Sequence, residues 1–517
     1  MEAQQVLMEA EQVIMEAQQT RTRNAPIEIP PEEFRTLGYQ LIDRITDFMA
    51  ALPQHPVATD KSPSELRALL RESSLPEHGQ DPSTLLNRTA GLLFDHSVQL
   101  GHPRFWGYIS GTPAPIGSLA DLLAAAVNPN VGGWMLSPMA TEIETQTIHW
   151  LGELVGYGSN SSGLLVSGGN MANFVPFLAA RKAKAPWAVR ESGMAAGEGR
   201  QLRVYASNQT HTWVQKAADL FGLGTDSIRW LPTDDEMRMD TTALRQQIEA
   251  DLAQGDIPFM VIGTAGSTAV GAIDPLPEIA AISKEFDLWF HVDGAYGAAA
   301  AVLGDNAPPE FAALPEADSI ALDPHKWLYV PLEAGAVLVR DASVLVDAFA
   351  YHPEYFPDQD EKISYLEYGL QNSRGFRALK VWLALQQVGR QGYRKMIAED
   401  IRLAETLYHL TELDPELEAG THSLSITTFR YVPQDLQNGD EAAEAYLNTL
   451  NKALVEYFHT SPDAFLSNAV INGKYVMRAC IVNFRTSIED IEALPDIVVA
   501  AGRQLDAQLR PNHLRQL

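Results

Sequence analysis

Short runs of apolar residues recur through the middle of the chain, and each is followed within two residues by glycine or an acidic residue. The runs occupy residues 164–166, 288–292, 320–322 and 335–339. Runs this short and continuous are typical of strands that are buried on both faces of a parallel sheet. Longer segments with helical spacing lie before and after the first run, notably residues 141–155 and 174–184. The pattern predicts an α/β protein.

Helical patterns also extend towards both ends of the chain. They cover residues 33–52, 62–70, 396–413 and 494 onward, with strand signals at 426–431 and 476–484. The apolar faces of these helices need a surface to cover them. We predict a flexible extension over residues 1–30, an N-terminal helical segment over 31–105, a large domain over 106–385 and a small C-terminal domain over 386–517.

Residues 1–19 form an internal repeat with a period of seven, in which Met1, Met8 and Met15 share one column. The repeat is shorter than the three to four heptads that support a coiled coil. We therefore expect either an uncapped, frayed N-terminal helix or an upstream start-site extension. A polar, proline-bearing linker follows at residues 20–31.

Composition and charge narrow the function classes. The chain has 517 residues, 46% of them hydrophobic, which is ample for a large core. Its net charge of −28 argues against nucleic acid or an anionic membrane as a partner. The single cysteine, Cys480, allows no intrachain disulfide and fits a reducing compartment. No window approaches a membrane span and the start is too acidic for a signal peptide, so we expect a cytoplasmic protein.

The strongest candidate chemistry follows the run at 320–322. Asp323 and Pro324 end that strand, because proline donates no ladder hydrogen bond, and they place His325 and Lys326 on the loop beyond it. Large apolar residues follow at 327–329. Apolar surroundings favour the neutral form of an amine, which can form a Schiff base. The dipeptide His325-Lys326 alone is also typical of a surface loop, so its interpretation depends on the neighbouring motifs.

A carboxylate and several small residues follow the strand at 288–292. Asp293 comes directly after it, and Gly294 and Ala295 come next. An acid at a strand end can hold a pyridine nitrogen protonated, while small side chains let a flat ring lie against the backbone. These residues predict a site for a heteroaromatic ring.

A glycine turn separates the strand at 164–166 from the helix at 174–184. Gly168, Gly169 and Asn170 form this turn. Free backbone N–H groups and the helix dipole make such a turn an anion site, which suits a phosphate. A phosphate site, a ring acid and an amine, in this order, indicate pyridoxal phosphate. No metal site is expected.

Six motifs resemble the pyridoxal-phosphate-dependent amino-acid decarboxylases of the aromatic-L-amino-acid and glutamate decarboxylase group. They are Gly101-His-Pro-Arg-Phe105, Leu136-Ser-Pro-Met-Ala-Thr-Glu-Ile-Glu144, Val166-Ser-Gly-Gly-Asn-Met-Ala-Asn173, His291-Val-Asp-Gly-Ala-Tyr296, Asp323-Pro-His-Lys-Trp327 and Cys480-Ile-Val-Asn-Phe-Arg485. They cover roughly residues 30–505 in family order. The resemblance implies fold-type I: a large domain with a mostly parallel seven-stranded sheet flanked by helices, an N-terminal helical segment and a small C-terminal α/β domain.

The resemblance also assigns roles to single residues. It implies Lys326 as the Schiff-base lysine and Asp293 as the partner of the pyridinium. His211 corresponds to the histidine that stacks on the ring, although a histidine near a helix N-cap also explains it. The implied cofactor-binding set is Gly168, Gly169, Asn170, His211, Thr268, Asp293, Ala295, Asp323, His325 and Lys326. The same likeness implies a homodimer with composite active sites.

The substrate side chain is expected to meet the loop after residue 101. Trp106 and Tyr108 are candidates for the pocket wall, although core aromatics explain them equally well. Close relatives carry a threonine that contacts the substrate carboxylate, and Gly111 or Thr112 stands at that point here. Trp106, Tyr108, Thr112 and His211 are therefore the predicted substrate-binding residues.

A long loop, residues 348–369, has the composition of a lid. Alignment of its His-Pro-Glu-Tyr turn with close relatives places their catalytic tyrosine at Tyr355, with Tyr351 as the weaker candidate. A phenol there can protonate the substrate Cα, whereas relatives with phenylalanine react with oxygen and give aldehyde. Further along, Arg374 is followed by Gly375, where most relatives have a second arginine.

The resulting prediction is a carboxy-lyase that converts an L-amino acid, aromatic by resemblance, into its amine and carbon dioxide. An oxygen-dependent aldehyde synthase, a decarboxylase of a small acidic amino acid and an aminotransferase are the alternatives on the same scaffold. A non-catalytic scaffold protein would not need the amine, the ring acid and the phosphate turn together. Glu142 and Glu144 are interpreted as charges that stabilise the start of the helix predicted at 141–155.

Overall fold

The computed structural model describes residues 2–20, 25–70, 74–158, 161–351, 362–437 and 439–515. Within these ranges the α-helices are α1 Glu2–Thr20, α2 Pro31–Ala51, α3 Pro63–Leu70, α4 Pro82–His96, α5 Pro115–Val127, α6 Pro138–Leu154, α7 Gly169–Lys184, α8 Val189–Ser192, α9 Trp213–Leu220, α10 Thr241–Ala253, α11 Leu276–Glu285, α12 Ser343–Phe349, α13 Ala378–Leu413, α14 Glu441–Phe458 and α15 Ile488–Leu509. The 3-10 helices are Leu52–Gln54, Trp134–Leu136, Met194–Gly197, Thr225–Ser227, Gly297–Asn306, Pro309–Glu316, Tyr365–Glu367, Gln434–Leu436 and Asn512–Leu514.

Two sheets organise the strands of the described residues. The strands are β1 Ser162–Val166, β2 Leu202–Ser207, β3 Ile228–Leu231, β4 Ile257–Thr264, β5 Trp289–Asp293, β6 Ser319–Leu322, β7 Gly335–Val339, β8 Leu417–Ser423, β9 Ile426–Tyr431, β10 Ser467–Ile471 and β11 Lys474–Cys480. The larger sheet has seven strands in the order β1-β7-β6-β5-β4-β2-β3, and the smaller has four in the order β10-β11-β9-β8.

The seven-stranded sheet is parallel except at β7, which runs antiparallel to both β1 and β6. Because β7 is reversed between them, β1 and β6 point the same way as β5, β4, β2 and β3. The carboxyl ends of six strands therefore meet at one edge of the sheet. Open α/β sheets bind ligands at that edge.

The large sheet is buried on both faces, which explains why its strands are continuously apolar. Successive residues of one strand belong to opposite hydrophobic clusters: Leu165 packs in one, and Leu164 and Val166 pack in the other. Helices α6, α10, α11 and α13 cover the first face. Helices α7, α9 and α12 cover the second.

The small sheet is antiparallel and packs against α14 and α15 in a separate hydrophobic cluster. Helix α13 leads into it and contains a kink at Gly389, where φ is 65°. Glycine occupies this left-handed conformation without steric cost.

Residues 1–54 and 61–97 form one compact unit, and residues 55–60 and 98–517 form another. In the first unit, Phe48 of α2 stacks on Phe94 of α4 with ring centroids 4.3 Å apart. None of the described helices is long and apolar enough to cross a membrane. The four-part domain division predicted from the sequence stays a prediction.

The sequence pattern located the central elements well. The strand predicted at 335–339 has those bounds, and the one predicted at 320–322 is β6, one residue longer. The helix predicted at 174–184 begins five residues earlier, at Gly169, because the glycine turn itself opens the helix. Prediction of a mostly parallel seven-stranded sheet with flanking helices agrees with the observed topology.

Candidate active site

A cavity of about 340 Å³ lies at the carboxyl edge of the large sheet. Its lining residues come from the turns that follow β1, β2, β4, β5 and β6. They are Ser167, Gly168, Gly169, Asn170, Asn173, His211, Trp213, Thr264, Gly266, Thr268, Asp293, Ala295, Tyr296, Asp323, His325, Lys326, Leu332 and Glu333. All ten residues predicted to bind the cofactor are among them, and their individual roles remain predictions.

Lys326 reaches the cavity from a tight turn after β6. The Lys326 N–H donates to the Asp323 carbonyl at 2.9 Å, which closes a turn with Pro324 at its second position. Proline fits that position because its φ is already set. Lys326 Nζ lies 3.2 Å from Asp323 Oδ2, and its side chain is 22% exposed. The amine therefore faces the cavity while its backbone is fixed.

Three glycines, Gly168, Gly169 and Gly335, form a cradle beside Asp323 and His325. Gly168 has φ 93° and precedes the first residue of α7. A Cβ at Gly169 would lie 2.7 Å from Asp323 Oδ2, and a Cβ at Gly335 would lie 2.7 Å from Gly168 backbone atoms. Both approaches exclude larger residues. The first turn of α7 thus presents unpaired backbone N–H groups to the cavity, a favourable place for an anion.

Asp293 is held by a donor that the sequence did not reveal. Trp213 Nε1 donates to Asp293 Oδ2 at 2.7 Å, and the Ala295 N–H donates to Asp293 Oδ1 at 3.3 Å. Asp293 is buried at the end of β5. Hydrogen bonds to a carboxylate stabilise its charged form.

His211 lies between β2 and α9, beside Asp293 and Lys326. Burial lowers the pKa of His211 below its usual value, and the nearby Asp293 charge opposes that shift. His211 Nδ1 accepts a hydrogen bond from the Trp213 N–H at 3.3 Å. An uncharged imidazole in this place presents a flat surface to the cavity.

The donor set of the cavity fits pyridoxal phosphate. An amine, a buried carboxylate and a helix N-terminus surround one space of suitable size. Asp323 Oδ1 is buried and lacks a hydrogen-bond partner among the described residues. The glycine cradle leaves room that a single Cβ would fill. Lys326 would hold the aldehyde end, Asp293 the ring nitrogen and the start of α7 the phosphate.

Trp106 and Tyr108, the aromatic residues predicted for the substrate wall, do not line this cavity, and their role stays a prediction. Trp106 is fully buried in the cluster of the small sheet, and its Nε1 donates to Thr486 Oγ1 at 3.2 Å. Tyr108 is 56% exposed and lies 6.0 Å from the Phe465 ring. Neither lines the cavity. Within this chain the structure therefore does not bring these two aromatics to the cavity.

Thr112 and its neighbour lie behind the lysine. A Cβ at Gly111 would lie 2.1 Å from the Lys326 carbonyl oxygen, so the loop passes directly behind that residue. Thr112 is fully buried, and its Oγ1 has no partner among the described residues. Its predicted contact with the substrate carboxylate stays a prediction.

Of the two candidate lid tyrosines, Tyr355 lies outside the described residues. Tyr351 is 71% exposed, with the Arg190 guanidinium 3.9 Å from its ring centroid. Tyr351 does not line the cavity.

The interpretation of Glu142 and Glu144 as charges at a helix start is wrong. Helix α6 begins at Pro138, and its first turn contains no acidic residue. Glu144 is fully buried and forms a two-pronged ion pair with Arg374, while its Oε1 accepts from the Leu165 N–H at 2.9 Å. Arg374 also donates to the Leu165 and Val131 carbonyls. The pair therefore anchors β1, not the start of α6.

Sequence reasoning missed several residues in and around the cavity. Trp213 and Asn173 line it and bond to Asp293 and His291. Asp400 lies in α13 and accepts a hydrogen bond from Trp327, the residue after Lys326. In the sequence, Asn173 was marked only by its place at the end of the motif at residues 166–173. Trp213 and Asp400 had none, because their partners become neighbours only in the folded chain.

Comparison with known proteins identifies the class. The family model for the pyridoxal-dependent decarboxylase conserved domain matches residues 63–431. An aromatic-L-amino-acid decarboxylase of Bacillus atrophaeus is 36% identical over 470 residues, covering 90% of this chain and 94% of that protein. A phenylacetaldehyde synthase of a Rosa hybrid cultivar is 30% identical, covering 88% and 90%.

Solved structures have the same fold. Mouse CSAD superposes with a TM-score of 0.86 at 25% identity, covering 92% of this chain and 99% of that one. Oryza sativa TDC with PLP and tryptamine superposes with a TM-score of 0.85 at 24% identity, covering 93% and 100%. The prediction of fold-type I is confirmed.

The fold and the cavity define a pyridoxal-phosphate-dependent carboxy-lyase. The chain belongs to the pyridoxal-dependent decarboxylase family. Its cofactor is pyridoxal phosphate, and its reaction class is amino-acid decarboxylation. The predictions of family, cofactor and enzyme class are confirmed.

Proposed function

We propose that this enzyme removes the α-carboxylate of an aromatic L-amino acid and releases the corresponding amine and carbon dioxide. The observation that carries the proposal is the convergence of Lys326, Asp293 and the first turn of α7 on one cavity. The aromatic preference is supported by the Bacillus atrophaeus relative, an aromatic-L-amino-acid decarboxylase with 36% identity. Bound pyridoxal phosphate supplies the electron sink for the carbon–carbon bond that breaks.

Lys326 is proposed to hold the cofactor and to exchange places with the substrate amine. Its Nζ lies 3.2 Å from Asp323 Oδ2, so a carboxylate is available to take up or return the proton of the amine. The turn that contains Lys326 is fixed by its own backbone hydrogen bond. The amine therefore moves while its backbone stays in place.

Asp293 is proposed to hold a proton on the ring nitrogen. The Trp213 hydrogen bond occupies Oδ2 and leaves Oδ1 with the weaker contact to the Ala295 N–H. A carboxylate with fixed orientation stabilises charge on its partner without reorganising first. His211, kept neutral by burial, is proposed to cover one face of the ring.

Tyr355 is proposed to donate a proton to the substrate Cα after carbon dioxide has left. A phenol suits this step once the lid has excluded water. The proposal comes from the alignment of the lid sequence, and Tyr351 is the second candidate. Retention of tyrosine in the lid favours the amine as product.

An oxygen-dependent aldehyde synthase is the second candidate function. One observation favours it: the Rosa relative, named a phenylacetaldehyde synthase, is 30% identical over 471 residues. Small acidic substrates are a third possibility on this scaffold. The product, measured directly, separates all three.

We also propose a homodimer in the cytoplasm. Apolar side chains are exposed along α5 and α6, including Leu119, Leu122, Leu123 and Met139. Trp150 and Trp382 stack beside them with ring centroids 6.2 Å apart. A face of this kind needs a partner surface. The free, buried thiol of Cys480 is compatible with a reducing compartment.

The test is a substrate screen with the purified, cofactor-loaded protein. The proteinogenic amino acids and DOPA are incubated in air, and amine, carbon dioxide, aldehyde and peroxide are measured together. Amine and carbon dioxide in equal amounts from aromatic substrates support the proposal. Aldehyde with peroxide establishes the second candidate, and activity confined to acidic substrates would contradict the aromatic assignment.

A further inference from the structure

A buried chain of hydrogen bonds runs behind the cavity, from β5 to the first turn of α7. Trp289 Nε1 and His291 Nδ1 both lie 2.8 Å from Ser319 Oγ. His291 Nε2 lies 2.7 Å from Asn173 Oδ1, and Asn173 Nδ2 donates to the Gly169 carbonyl at 2.8 Å. All four side chains are at least nine-tenths buried. The chain thus joins the anion-binding turn to the strand that ends in Asp293.

The direction of every bond in this chain is determined by its ends. An indole N–H only donates, so Ser319 Oγ accepts from Trp289 and has its own hydrogen free for His291 Nδ1. At the other end, the Asn173 amide nitrogen donates to a carbonyl, so Asn173 Oδ1 must accept. His291 therefore carries its hydrogen on Nε2. Burial lowers the pKa of His291 to about 4, in agreement with a neutral ring.

This chain of hydrogen bonds reaches the two groups that are proposed to bind the cofactor, Asp293 and the first turn of α7. Side chains two residues apart on a strand share one face, so His291 stands directly behind Asp293. The Trp213 indole, which donates to Asp293, also meets the His291 ring edge-on at 5.8 Å between centroids. A neutral His291 adds no positive charge behind Asp293, so the carboxylate keeps its full attraction for the ring nitrogen.

We propose that Asn173 and His291 are positioning residues that hold the first turn of α7 in register with the strand of Asp293. The proposal rests on the proposed placement of the phosphate at α7. The close approaches of Gly169 to Asp323 and of Gly168 to Gly335 leave this turn little freedom, so a small displacement would spoil the phosphate contacts. Neither Asn173 nor His291 needs to touch the reacting atoms.

The test compares ligands that do and do not carry a phosphate. Apo-protein is titrated with pyridoxal phosphate, with pyridoxal and with inorganic phosphate as a competitor. Loss of one hydrogen bond predicts that Asn173→Ala binds pyridoxal phosphate and inorganic phosphate about tenfold more weakly, with pyridoxal affinity unchanged. A general loss of structure would weaken pyridoxal as well, so the ratio of the two affinities isolates positioning.

Matched variants of His291 sharpen the test. Glutamine can still donate to Asn173 Oδ1, whereas methionine of similar size cannot. His291→Gln is expected to keep the wild-type ratio, and His291→Met to lose about tenfold, like Asn173→Ala. Ser227→Ala also removes a buried serine hydroxyl, one that donates to the Gly224 carbonyl at 2.7 Å outside this hydrogen-bond chain, and serves as the control with an unchanged ratio.

The hydrogen on His291 is read in the wild-type protein, independently of any variant. Nitrogen-15 spectra of histidine-labelled apo-protein should show one neutral ring with its hydrogen on Nε2 that does not titrate between pH 5 and 8, and His291→Gln identifies that signal by its absence. A hydrogen on Nδ1, or equal affinity ratios in Asn173→Ala and wild type, overturns the inference. Wild-type apo-protein that binds pyridoxal and pyridoxal phosphate equally would instead refute the phosphate placement.

Discussion

Trp213 donates a 2.7 Å hydrogen bond from its indole to Asp293 Oδ2, although the two residues belong to different elements of the large sheet domain. The bond links the first residue of α9 to the last residue of β5. It occupies Oδ2, while Oδ1 accepts the longer bond from the Ala295 N–H. The orientation of this carboxylate is thus set in part from outside its own strand.

Removal of this indole donor should leave the Asp293 carboxylate in place but less well oriented. Trp213→Phe keeps an aromatic ring against Phe177 and His291 but leaves Asp293 Oδ2 without its donor. Hydrogen bonds to charged groups contribute about 1.5–3 kcal/mol, so turnover should fall about tenfold or more. Steady-state kinetics measure it, and Trp187→Phe, which loses an exposed indole bond, is the control. Wild-type kinetics in Trp213→Phe would contradict the orienting role.

Replacement of the cavity lysine should abolish both turnover and covalent cofactor attachment. In Lys326→Ala the cavity retains Asp293 and the start of α7, so pyridoxal phosphate should still bind, but without a bond that borohydride can trap. Mass spectrometry after borohydride treatment measures the attachment. Lys284→Ala, at an exposed position of α11, should behave as wild type. Trapped cofactor in Lys326→Ala would show that another amine does this task.

The buried Asp400 predicts a pH dependence of stability. Its carboxylate accepts from Trp327 Nε1 at 2.8 Å and from the Tyr329 hydroxyl at 2.6 Å, beneath the loop of Lys326. Burial raises the pKa of Asp400 from 3.8 to about 7. Above pH 4 the unfolded chain loses this proton while the folded chain keeps it, so folding loses stability until pH 7 and no more beyond.

Asp400→Asn removes the titration and should remove that slope. Between pH 4 and 7 the wild-type free energy of unfolding should fall relative to the variant by up to about 1.4 kcal/mol per pH unit. Urea midpoints of the apo-proteins across this range provide the measurement. The exposed Asp496→Asn is the control and should follow wild type. Parallel curves for wild type and Asp400→Asn would refute the buried titration.

The identity of the proton donor predicts the product. Tyr355→Phe should lower amine output and give aldehyde and peroxide in air, because Cα is then no longer protonated promptly. Tyr351→Phe is the matched comparison and should release amine as wild type does. If Tyr355→Phe still gives amine alone and Tyr351→Phe gives aldehyde, the two roles are exchanged.

Local sequence was enough to predict which residues of the candidate site lie at strand ends. Lys326, Asp293 and Gly168 each follow a short apolar run, and parallel strands bring such positions together at one edge. No local rule could find Trp213 or Asp400, whose bonds depend on helices packing across long separations. The interpretation of Glu144 failed for the same reason, because Arg374 lies 230 residues away from it.

The wall of the substrate pocket was the least predictable part. Aromatic residues near a glycine-rich loop fit a pocket and a core equally well, and only tertiary packing decides between them. In this chain, Trp106 lies in the core of the small sheet and its indole donates to Thr486, while its role at a substrate pocket stays a prediction.

The reversed strand β7 governs when the cofactor site can be completed during synthesis. Strand β1 ends in the glycine cradle, yet among the described strands it pairs with β7 alone, with Val166 opposite Gly335. The ribosome must therefore complete β2 to β6 before β1 gains a neighbour, and long-range pairing of this kind is slow. Nascent chains that stop short of β7 should bind no pyridoxal phosphate. The cofactor should therefore bind only after the ribosome has synthesised β7.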